Sequence, residues 1–128
     1  MVLVDQPAKH LPAFDPPFQR PGDGDAYIDP AHFHRLCAQD LPHSTTGVMA
    51  ATQRPGALAA LVTPSGPPAW KTVPSWFLVA KQDRIIPPQA ERAMAKRAKA
   101  TTVEIDSSHV AMLSHPDAVT RLILKAAR

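Results

Sequence analysis

The chain has 128 residues, 45% of them hydrophobic, which is the size of one ordinary domain and too apolar for a disordered chain. Its net charge of +3 is uneven, because residues 1–64 carry 4 basic and 6 acidic side chains and residues 65–128 carry 10 and 5. There are 15 prolines against 5 glycines, so long irregular connections are expected, and a single cysteine, Cys37, excludes an internal disulfide.

Residues 1–26 read as an irregular, proline-rich segment, with Pro7, Pro12, Pro16, Pro17 and Pro21 removing backbone donors and Gly22-Asp23-Gly24-Asp25 marking a turn. That Asp-Gly run lacks the ligand spacing and closing glutamate of a calcium loop. Met1-Val2-Leu3-Val4 is too short for a secretory signal and runs straight into Asp5. No stretch approaches membrane-spanning length. The expectation is a cytoplasmic protein with no membrane partner.

From residue 27 to 68 the pattern is a compact helical block. Asp29 is a good N-cap, Pro30 suits the first helical position, and Phe33, Leu36, Cys37 and Leu41 follow at helical spacing up to Pro42. Cys37 therefore reads as a core residue. A second helix is expected over about 46–53 and a third over about 57–62, before Pro64-Ser65-Gly66.

The pattern changes from Trp70 onward. Ser75-Trp76-Phe77-Leu78-Val79-Ala80 is an unbroken apolar run, as in a parallel strand buried on both faces. Pro87-Pro88 opens a helix through Lys99, rich in alanine and charge. The next strand is Thr101-Thr102-Val103-Glu104-Ile105, mostly β-branched. A capping box is expected at Ser114 and Asp117, and Val119, Leu122, Ile123 and Ala126 give the last helix a face to bury. Residues 75–127 thus read β-α-β-α. A right-handed crossover makes the strands parallel with their C-terminal ends on one side, where open α/β sheets place their active sites.

The basic residues Arg92, Lys96, Arg97 and Lys99 lie along one helix, and Arg121, Lys125 and Arg128 along another. No aromatic residues interleave with them to stack bases, so they read as solvated faces and no nucleic acid is expected. His32 and His34 are two apart on a helix and point to different faces, which disfavours a shared metal. His10 and His43 sit in loop-like sequence without partners, and His115 beside a helix start reads as solvent-facing.

Two residues stand just beyond the expected strand ends, Asp83 in Lys81-Gln82-Asp83-Arg84-Ile85-Ile86-Pro87 and His109 in Ser107-Ser108-His109-Val110. Alone, Asp83 reads equally as a turn or capping aspartate and His109 as a surface-loop histidine. Together, each after a strand and in this order, they match the last two members of a Ser-Asp-His triad. No Gly-x-Ser-x-Gly is present in the sequence. Ser65 lies in a rigid Pro-Ser-Gly turn and Ser75 opens a strand. Ser107 and Ser108 precede the histidine, and a rearranged site using Ser108 is the lesser alternative.

Residues 27–128 resemble the C-terminal part of an α/β-hydrolase. The branch is that of methylesterases and hydroxynitrile lyases, together with its bacterial esterase-like members. The resemblance is carried by Trp70-Lys71-Thr72-Val73-Pro74 before a strand, by Gln82-Asp83-Arg84-Ile85-Ile86-Pro87, and by Ser108-His109-Val110-Ala111-Met112-Leu113-Ser114-His115-Pro116. Residues 1–26 carry no motif of the family. The resemblance implies an α/β fold, with residues 27–68 as a helical cap and 69–128 as the C-terminal part of the core. It also implies Asp83 and His109 as triad acid and base, a small-molecule ester substrate, and no cofactor or metal. Lyases of this branch carry a lysine directly after the histidine; Val110 stands there, which favours ester hydrolysis. The family's early core strands, oxyanion loop and nucleophile elbow should precede the cap, and too few residues precede it here. The expectation is half of a hydrolase, inactive by itself and open to self-association through exposed sheet edges. The alternative is a non-catalytic truncated remnant or interaction module.

Overall fold

The computed structural model describes residues 18–22, 24–57 and 59–128. The expectation of irregular chain over residues 1–17, and His10 within it, lies outside the described residues. Two sheets organise the rest, one antiparallel with three strands and one parallel with two.

The first sheet corrects the expectation of irregular chain up to residue 26. Strands β1 (Phe18–Gly22) and β2 (Asp25–Ile28) form an antiparallel hairpin, and β3 (Gly56–Ala57) adds to β2. Gly24 turns the hairpin at φ +93°, left-handed backbone that glycine adopts without a Cβ clash. Pro21 is tolerated because β1 is the outer strand and its register slips between Gln19 and Gly22. The boundary expected at residue 26 therefore falls inside β2.

Helix α1 (Pro30–Cys37) starts as its sequence dictates, with the Asp29 carboxylate accepting the Ala31 N–H at 2.9 Å. Helix α2 (His43–Thr52) begins three residues earlier than expected, directly after Pro42. His43 is thus a helix residue with a partner, stacked on His34 at 3.7 Å between ring centroids. At the other end of α2, the Gln53 amide bonds both the N–H and the carbonyl of Ile28, at 3.0 and 2.7 Å. This side chain behaves like the peptide of one more strand and ties α2 to the first sheet. The short helix α3 (Ala59–Val62) follows β3.

The second sheet is the expected β-α-β-α unit. Strand β4 (Trp76–Ala80) pairs in parallel with β5 (Thr101–Ile105), in register from Trp76 opposite Thr101 to Ala80 opposite Ile105. Between them runs α4 (Pro88–Arg97). It ends with the Ala100 N–H on the Ala95 carbonyl and the Lys99 N–H on that of Lys96, both at 3.0 Å, which requires left-handed backbone at Lys99 (φ +51°). Arg92 grips the Glu104 carboxylate with two nitrogens, at 2.9 and 2.7 Å, holding α4 over β5. The chain closes with α5 (Ala111–Ser114) and α6 (Pro116–Ala126). The expected capping box is not formed, since His115 occupies the N-cap position of α6 and no side chain caps it.

The core lies where the first half meets the loops of the second. Phe33, Cys37, Ala38 and Ala50 of the helical block enclose Val110, with Ile28, Leu41, Met49 and Ile85 packed around them. By contrast β4 is not buried on both faces. Only Val79 and Ala80 are fully covered, because among the described residues the sheet of two strands has no neighbour beyond its edge. Helix α6 likewise fails to bury the face its sequence offers, and Ile123 is 61% exposed. Among the described residues no helix is long and apolar enough to cross a membrane.

Met112, Leu113, Ile123 and Leu124 are each more than half exposed on α5 and α6. Beside them runs the open edge of β4, whose N–H and carbonyl groups can pair with another chain. The chain should therefore sediment as more than one copy at micromolar concentration, and Ile123→Lys with Leu124→Glu should shift it toward monomer. A monodisperse wild-type monomer with a sharp thermal transition would contradict this.

Candidate active site

The two parallel strands end side by side, so the turns that follow them meet. Lys81 donates its N–H to the Ile105 carbonyl at 2.9 Å and Gln82 to the Ser107 carbonyl at 3.1 Å, extending the pairing into both turns. Asp83 lies in the first turn. Its Oδ1 accepts the N–H of Ile85 at 2.6 Å and of Ile86 at 2.9 Å. Its Oδ2 meets His109 Nδ1 at 2.7 Å. The Asp83 side chain is 1% exposed and that of His109 36%. The contact with a carboxylate assigns the proton of the neutral ring to Nδ1, leaving Nε2 as the basic nitrogen.

The hydrogen bond to Asp83 raises the proton affinity of His109, burial opposes it, and the charges of Asp83 and Glu91 add to the rise. An imidazole in this setting can accept a proton at Nε2 while the carboxylate steadies the resulting cation.

The serines beside it are structural. Ser107 and Ser108 are both fully buried. Ser107 Oγ donates to the Ser108 carbonyl at 2.9 Å, and Ser108 Oγ accepts the Val110 N–H at 3.3 Å. A nucleophile built on Ser108 is thereby removed, since the hydroxyl braces its own loop away from solvent. Cys37 is no nucleophile either: burial, helped by the charge of Asp83, pushes its thiol up to about 11.

Three residues of the segment around the end of α1 hold the two turns, and sequence reading singled out none of them. Asp40 accepts the Ser108 N–H at 2.8 Å, next to His109. Gln39 donates to the Gln82 carbonyl at 2.7 Å, next to Asp83. Arg84 Nη1 reaches back to the Arg35 carbonyl at 3.0 Å. Burial works to raise the Asp40 carboxyl, but its hydrogen bonding to Ser108 wins and holds it below the usual value. Partners 43 and 68 residues apart leave no local signal in the sequence.

A groove of about 250 Å³ opens beside His109. Its walls are apolar, with Leu78, Ala80, Met112, Val119 and Leu122 among them, and Glu91 is its other ionisable residue. Glu91 is 8% exposed and is pushed up to about 7, first by burial and then by the charge of Asp83. Among the described residues no group of His, Cys, Asp and Glu could hold a metal ion. His32 and His34 do not come together, and His34 pairs instead with Thr46 Oγ1 at 3.2 Å.

A family model described as "Alpha/beta hydrolase family" matches residues 2–122. The match takes in residues 2–26, in which no family motif was recognisable. Seven chains of solved structures match as well. One is the crystal structure of polyneuridine aldehyde esterase, with a TM-score of 0.70 at 18% identity over 87% of this chain and 48% of that one. The chain thus spans about half the length of that structure. A search of the curated proteins found no match.

The proton affinities give a pH dependence. Glu91 and His109 both bind protons more tightly folded than unfolded, so each favours folding at low pH. The Glu91 share is complete below its ordinary 4.5 and is lost by about 7. The His109 share is complete below 6.5 and is lost as the pH passes its raised value. Asp40, held low, acts oppositely and only toward acid, its share being lost as the pH falls below 3.8. The midpoint of thermal unfolding should therefore fall from about pH 5 to about pH 8, and His109→Gln should flatten the upper part of that fall. A midpoint that rises over this range would contradict the assignment.

Proposed function

The chain belongs to the alpha/beta hydrolase family, and from that premise we propose that Asp83 and His109 are the acid and base of a serine triad for carboxylic-ester hydrolysis. The observation that carries the proposal is the 2.7 Å contact between His109 Nδ1 and an Asp83 carboxylate already locked by two backbone N–H groups. His109 Nε2 takes the proton of a serine hydroxyl as that oxygen attacks the ester carbonyl, then returns it to the leaving alcohol. Asp83 keeps the imidazole in the tautomer with Nε2 unprotonated and stabilises the imidazolium.

The attacking serine and the donors that hold the oxyanion come from a nucleophile elbow and an early loop in this fold. No Gly-x-Ser-x-Gly occurs in the 128 residues, and the serines beside His109 are committed to their own loop. The polypeptide by itself is therefore inactive, with the acid and base of the machine assembled and the nucleophile supplied from elsewhere. Two observations support an ester as substrate. Val110, directly after the histidine, is a buried core residue and places no ammonium there. One solved structure similar in fold is that of an esterase. The exposed apolar row on α5 and α6 favours a second reading, in which the chain works by association without catalysis.

The purified chain should show no saturable hydrolysis of short aryl or methyl esters, only a slow background of imidazole type. Fused to a segment carrying the elbow, or supplied with one in trans, it should gain activity. That activity should fall on the order of 10⁴-fold with Asp83→Asn, through loss of the productive tautomer. It should vanish with His109→Ala. Saturable turnover by the unfused chain, abolished by His109→Ala, would contradict the proposal. Activity in the fusion that ignores both residues would favour the second reading.

A further inference from the structure

The carboxylate of Glu91 stands where the parallel sheet stops. Along β4 the residues alternate in the edge to which they offer their backbone, and those of odd number face β5, as the bond from Lys81 N–H to the Ile105 carbonyl shows. Ala80, one residue earlier, points its N–H to the open edge. Among the described residues no strand receives it there. Glu91 does, its Oε2 accepting at 2.8 Å from the first turn of α4. A buried N–H must find an acceptor, but a neutral amide or hydroxyl would serve as well. A carboxylate brings a charge into a site that is otherwise apolar apart from His109.

That charge is within electrostatic reach of both members of the pair. The Asp83 charge acts against the ionised form of Glu91, and His109 and Arg92 act for it. From α6 and α5 the groove receives only apolar side chains, namely Val119, Leu122, Ile123, Ala111 and Met112. The ionisable groups around Glu91 are therefore Asp83 beyond the end of β4, His109 in the loop after β5, and Arg92 on its own helix.

We propose that Glu91 is a positioning residue of the Asp83–His109 pair. Its carboxylate fixes the end of β4 from which the Asp83 turn springs, and it lends a second negative charge to the His109 imidazolium. Resting on the reading of Asp83 and His109 as triad members, this makes the pair a three-group device. In ester hydrolysis the imidazolium forms as the serine attacks, and Glu91 favours that cation without touching substrate. The charge of each acts on the proton affinity of the other, so their titrations are coupled.

The test is a titration of the His109 ring followed by NMR in the full chain. Glu91→Gln keeps an acceptor for the Ala80 N–H and removes the charge. It should leave that N–H protected from exchange and move the His109 midpoint down. Glu91→Ala should in addition expose the Ala80 N–H. A His109 curve unchanged in Glu91→Gln would overturn the proposal. Asp83→Asn separates the two levels: it should lower the His109 midpoint with Glu91 intact, and an unmoved midpoint would overturn the pair itself.

Discussion

One carboxylate joins the two turns that follow the strands of the parallel sheet. Asp83 spends Oδ1 on closing its own turn, through the N–H groups of Ile85 and Ile86, and Oδ2 on reaching His109 in the neighbouring turn. The bond to His109 would not form if the strands were antiparallel, since their C-terminal ends would then lie at opposite ends of the sheet. The crossover through α4 sets both turns on one side, and pairing from Ala80–Ile105 onward brings them within a hydrogen bond. A charge-assisted bond of this kind is stronger than a neutral one and shorter, and the 2.7 Å contact has the expected length.

The helical block is part of the same construction. Val110 follows His109 directly and lies in the cluster formed by Phe33, Cys37, Ala38 and Ala50, while Ile85 follows Asp83 by two residues and packs against it. Burial of one such aliphatic side chain is worth roughly 1.5–3 kcal/mol. The bonds of Gln39 and Asp40 fasten the backbone of the same two turns. The helical block thus dries the acid of the pair and fixes its loops, while the opposite side of the sheet stays open at β4 and along α6.

Much of this was legible in the sequence because the signals are local. Asp29 and Pro30 mark the start of α1, unbroken and β-branched apolar runs mark β4 and β5, and the two turn motifs mark Asp83 and His109. What was missed depends on contacts between distant segments. The hairpin of β1 and β2 hides behind Pro21, which is admissible only on an outer strand with a slipped register. Asp40 and Glu91 look like ordinary charged residues until the fold sets them against Ser108 and Ala80. The expected burial of β4 and α6 failed for a different reason. Sequence records the face an element is made to bury, and the described residues contain nothing that covers it.

The most direct test of the account is the proton on His109 Nδ1. A hydrogen bond of 2.7 Å to a carboxylate 1% exposed should shift that proton far downfield in the NMR spectrum and slow its exchange with water enough for it to be seen near neutral pH. The resonance should be present in the wild-type chain and disappear in both Asp83→Ala and His109→Gln. A well-folded wild-type chain with no downfield ring proton, or one whose downfield proton survives Asp83→Ala, would contradict the pairing on which the functional reading stands.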